Sequence, residues 1–130
     1  MVIWRCMGYL SHFVIGGALG ALSWAVCPVV SGHFEPFDTL LGFIIGQALM
    51  LIFAIYTGWT KRLIFLFLLV AGMYVGQNVY AYIFSPAFGS SDTREWFLLG
   101  LVTSVFLCIL PLVGGGVARW LAVCSQHARK

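Results

Sequence analysis

The sequence predicts an all-α membrane protein: a four-transmembrane-helix bundle in one domain, with both termini on the cytoplasmic side. Three observations carry this. The 130 residues are 62% hydrophobic and only 8% charged, whereas a soluble domain needs about a quarter of its residues charged to cover its surface. The apolar residues fall into four runs, each near the roughly 20 residues that a helix needs to cross a bilayer. Six of the seven Lys and Arg residues fall on one side of a four-span chain, and all four acids fall on the other.

Span one is expected at about 9–30. Arg5 and the apolar run after it resemble a signal peptide, but the run is too long for one and no small-x-small cleavage site closes it, so it reads as a retained span. Pro28 should break it near its outer end, ahead of the polar loop "SGHFEPFD", Ser31–Asp38. Span two follows at about 39–57 and ends in the turn "GWTKR", Gly58–Arg62. Span three covers about 63–84. The loop "SPAFGSSDTRE", Ser85–Glu95, has the Pro, Gly and Ser that stop a helix. Span four covers about 96–123, with Pro111 and the glycines Gly114–Gly116 inside it.

The orientation follows from charge. Arg5, Lys61, Arg62, Arg119, Arg129 and Lys130 share one side, and only Arg94 lies on the other with Glu35, Asp38, Asp92 and Glu95. Short loops rich in Lys and Arg stay in the cytoplasm, and the bias argues against insertion both ways up. Trp4, Trp59 and Trp120 mark the inner interface and Trp96 the outer one. Trp24 lies deeper and is expected to face a neighbouring helix. The net charge of +3 is scattered over helix ends. A nucleic-acid binder would gather its basic residues on one exposed face, so no nucleic-acid partner is expected.

A short phrase repeats, "GFIIGQ" at Gly42–Gln47 and "GMYVGQ" at Gly72–Gln77, the second followed by Asn78. Gly42 with Gly46, and Gly72 with Gly76, each form a small-residue groove where another backbone can approach. Gly8, His12, Gly16 and Gly20 make a similar stripe on span one. These glycines are expected to pack helices within the bundle; the sharper reading gives one face to a partner or a second copy. Gln47 and Gln77 stand equally far from the turn between spans two and three. They are therefore expected at one depth, donating and accepting across that hairpin.

Little in the sequence points to chemistry. His12 is the one ionisable group placed inside the inner leaflet, where an intramembrane position is a functional signal and interfacial water is the simpler explanation. His33 and His127 fall in solvated segments. No Asp, Glu or Lys lies inside a span, which argues against a proton-coupled antiporter. Gln47, Gln77, Asn78, Thr103 and Ser104 are too few to line a pore in one copy, although an oligomer could assemble one. Cys6, Cys27, Cys108 and Cys124 lie at separate depths with no metal-ligand spacing, so neither a disulfide framework nor a metal site is expected. The outer acids with His33 could bind a metal or act as acid and base, but topology alone puts acids there. "PLVGGG", Pro111–Gly116, follows no strand and is no dinucleotide fingerprint. It is expected to kink span four or admit a close neighbour. No cofactor is expected and no enzyme activity.

The tripeptide Phe84–Pro86, Trp96, and a tail with His127, Arg129 and Lys130 resemble small uncharacterised four-span inner-membrane proteins of enterobacteria. The resemblance covers about the last third of the chain. It implies a bacterial inner membrane and no particular activity. The sequence thus reads as a non-enzymatic accessory, assembly or regulatory membrane component. The alternative is a small oligomeric transporter or flippase-like carrier, with a polar site at the amides of spans two and three.

Overall fold

A computed structural model describes residues 2–34, 36–84 and 93–128, with side chains from residue 7 and, after the last loop, from residue 98. These residues form four helices: α1 (Val2–Ser31), α2 (Leu40–Thr60), α3 (Leu63–Phe84) and α4 (Thr93–His127). All four contain stretches long and apolar enough to cross a membrane, so the chain is a multi-pass membrane protein. At about 1.5 Å per residue, α1 and α4 are longer than the roughly 30 Å hydrocarbon layer. Their ends therefore run on into the headgroup region.

Local chemistry sets the helix ends. α1 continues past Pro28, which stands in the last turn and removes only the bond to the carbonyl of Trp24. Gly32 then closes the helix at φ 72°, donating its N–H to Pro28 O at 3.1 Å. This is the left-handed cap that glycine adopts most readily. Thr39 caps α2 by accepting from the N–H of Gly42 at 3.3 Å. α2 runs to Thr60, beyond the expected 57. The turn to α3 is only Lys61 and Arg62, with Lys61 N–H bonded to Thr57 O at 2.8 Å. Pro111 does not interrupt α4.

The helices do not pair in chain order. α1 packs most extensively against α3, and α2 against α4; each of these pairs runs parallel. α1 also lies antiparallel against α2, and α3 against α4. Going round the bundle the order is α1, α3, α4, α2. α2 and α3 face each other across a diagonal despite their short connection, and α1 and α4 do not meet among the described residues.

Glycine explains these pairings. A Cβ on Gly16 or Gly20 would fall on the backbone carbonyls of Leu69 and Met73 in α3. A Cβ on Gly72 or Gly76 would fall on those of Phe13 and Gly17 in α1. The two backbones are thus in direct contact along the seam, with room for hydrogen only. Gly46 faces Ser23 of α1, where a Cβ would stand 2.9 Å from the carbonyl oxygen, and Gly42 faces the Cys27 thiol. Gly58 meets Gly115 in the α2–α4 pair. Gly16, Gly20, Gly42, Gly46, Gly72 and Gly76 therefore all pack inside the bundle, whereas a Cβ on Gly8 would meet only the Phe65 ring, at 3.7 Å. Between the seams the core is filled by Leu19, Trp24, Met50, Leu66, Leu69 and Met73. Val29, Leu40, Ile52, Phe106 and Trp120 point outward, as residues that meet lipid should.

Candidate functional site

Most polar groups of the interior collect in one layer, with Thr57 apart from it near the other end of α2. Gln47 lies seven residues from the N-terminal end of α2, Gln77 seven from the C-terminal end of α3, and Trp24 seven from the C-terminal end of α1. Each is therefore about 11 Å below its helix end. Gln47, Gln77, Trp24 and Ser104 are all buried. The equal depth of the two glutamines is as expected from their spacing; their partners are not. The amides do not clasp each other: Gln47 donates to Leu107 in α4, and Gln77 donates to Met50 in α2.

Gln47 donates its Nε2 to the backbone carbonyl of Leu107 in α4 at 3.1 Å. That carbonyl is four residues before Pro111. Proline has no N–H, so Leu107 O lacks its helical donor. A freed carbonyl in hydrocarbon must find another donor or cost on the order of 1–3 kcal/mol. Gln47 supplies it from the neighbouring helix. Sequence reasoning noted both residues without joining them; the signal was the proline and the carbonyl four residues earlier.

Gln77 donates to Met50 Sδ at 3.0 Å, a weak acceptor. Asn78 turns back on its own helix, donating to Tyr74 O at 2.7 Å. Three buried oxygens, Gln47 Oε1, Gln77 Oε1 and Ser104 Oγ, have no hydrogen-bond partner among the described residues. Each such atom, left dry, costs about 1–3 kcal/mol.

His12 sits at the other end of the bundle. Its Nδ1 lies 2.7 Å from Gly8 O, and its ring packs 4.6 Å from that of Phe65, near the start of α3. It is half-buried. Trp24 is buried with its ring edge-on at 5.7 Å to Phe34, a residue of the loop after α1. Trp59 and Trp120 are exposed; the side chains of Trp4 and Trp96 lie outside the described residues.

The four acids form no site among the described residues. Asp38 and His33 are exposed, and Glu35, Asp92 and the side chain of Glu95 lie outside the described residues. Among the described residues no group of three His, Cys, Asp or Glu could hold a metal ion. Cys27 and Cys108 are buried free thiols, and Cys124 is an exposed one. His127 is exposed on the last turn of α4, and Arg129 and Lys130 lie outside the described residues. On the lipid side, α3 and α4 leave an apolar groove of about 340 Å³, lined by Phe67, Ala71, Tyr74, Val105, Cys108 and Leu112. No protein family, curated protein or solved structure matches the chain.

Proposed function

We propose that this chain is a non-enzymatic component of a bacterial inner membrane, an accessory, assembly or regulatory subunit that acts through its helix surfaces. One observation carries the reading: the glycine seams are used up inside the bundle. They make a backbone-locked unit whose remaining feature is its lipid-facing surface, including the groove between α3 and α4. The partner, another membrane protein or a second copy, would meet that surface and not the glycine faces. Lys61, Arg62 and Arg119 lie at the end where α2 meets α3 and α4 finishes. By the positive-inside rule that end is cytoplasmic, and both termini with it.

The test is photocrosslinking in intact cells from probes at Val105 and Phe67 in the groove, with Val14 on the outward face of α1 as reference. Protein adducts enriched at the groove support a subunit role. Adducts to lipid alone, equal at all three positions, would reject it. A second reading, an oligomeric carrier, draws on the three unpartnered oxygens of the polar layer. Uptake by reconstituted vesicles that is abolished by Gln77→Met, with the fold retained, would favour it.

A further inference from the structure

We propose that one water molecule is bound inside the bundle, bridging Gln47 Oε1, Gln77 Oε1 and Ser104 Oγ. The inference does not depend on the subunit role proposed above. Three helices supply these atoms, and the hydrogen bonds of the two amides tie them to neighbouring turns of the bundle. Gln47 reaches Leu107 O at 3.1 Å, and Ser104 is one turn from Leu107 on α4. Gln77 reaches Met50 Sδ at 3.0 Å, and Met50 is one turn from Gln47 on α2. Gln47 is 4% exposed, and Gln77 and Ser104 are fully buried, yet each presents an oxygen without a partner among the described residues.

The donor and acceptor count selects the ligand. Two amide oxygens can only accept, and a serine hydroxyl can donate. A water donates twice and accepts once, which satisfies all three and gives it the three bonds typical of buried water. A metal cation fits poorly. All three oxygens are neutral, and no Asp or Glu lies within the helices at this depth to balance a charge. An unpaired charge in such a core is strongly disfavoured. The layer lies about 11 Å below the helix ends, so the water would be separated from the bulk by packed side chains.

The test uses the full chain in lipid nanodiscs, by NMR magnetisation transfer from water to the side-chain amides of Gln47 and Gln77. Both amides should show water cross-peaks, although backbone amides at the same depth on the lipid face show none. The double variant Ser104→Ala, Gln77→Met should lose the Gln47 cross-peak, with its backbone spectrum confirming the fold. Replacing choline with Na⁺ should leave the Gln47 and Gln77 shifts unmoved. Dry amides in the unsubstituted protein would overturn the proposal, as would shifts that titrate with Na⁺. Retention of the Gln47 cross-peak in the folded double variant would overturn this placement of the water.

Discussion

Substituting Gln47 tests whether one residue repairs the defect that a proline makes in another helix. Gln47→Met keeps the side-chain volume close to that of glutamine and removes the donor to Leu107 O. Its own cost combines opposing terms, because an orphan carbonyl appears in α4 as Gln47 Oε1, which has no partner among the described residues, disappears. The coupling with Pro111 is cleaner. Pro111→Ala restores an N–H at position 111, which can close the ordinary helical bond to Leu107 O. In that background Gln47 has nothing to repair. Interhelical hydrogen bonds in membranes average about 0.6 kcal/mol and reach about 1.7. A carbonyl with no other donor belongs near the upper end, so a coupling of about 1–1.7 kcal/mol is expected. The assay is reversible unfolding of the four proteins of the cycle in mixed micelles. Additivity within about 0.5 kcal/mol, the behaviour of independent sites, would refute the reasoning.

Other outcomes follow from the seams and the thiols. Gly76→Ala would press a Cβ onto the Gly17 carbonyl and should destabilise the fold by about 1–3 kcal/mol, as overpacking does. Gly116→Ala meets nothing within 4 Å and should be neutral or stabilise by up to about 1 kcal/mol from helix propensity; unfolding midpoints would check both. A membrane-impermeant maleimide should label Cys124 in inverted vesicles and spare Cys27 and Cys108 until the protein is unfolded. Labelling of Cys124 in right-side-out vesicles would instead reverse the proposed orientation.

The number of helices and their apolar character are legible in the sequence because the bilayer demands them residue by residue. α3 occupies the same residues as the expected third span, bounded by the Lys61–Arg62 turn on one side and a Pro- and Ser-containing loop on the other. The remaining ends were less legible. α2 runs through Gly58, which reads as a turn residue in isolation but packs against Gly115 of α4. α1 and α4 extend beyond their apolar runs because helix can continue where hydrocarbon stops. Helix pairing was not legible, since a Gly-x-x-x-Gly face fits any close backbone and does not name its partner. Chain order suggested that α2 and α3 clasp through Gln47 and Gln77. In the structure the close backbones are α1 with α3 and α2 with α4, and the amides serve α4 and Met50 instead. The depth of the polar layer could be counted from the turn. Its connectivity needed Pro111 to be read together with the carbonyl four residues earlier.

The pairing of parallel helices is best tested by oxidative crosslinking of paired cysteines in a cysteine-free background, in native membranes. In the pairs Gly8→Cys with Phe65→Cys, and Leu51→Cys with Gly114→Cys, a Cβ at the glycine position would meet the end of the partner's native side chain across α1–α3 and α2–α4. The pair Leu10→Cys with Trp120→Cys spans α1 and α4, which do not meet among the described residues. The account predicts intrachain disulfides in the first two and none in the third. Rapid crosslinking of the α1–α4 pair, with the first two silent, would contradict it.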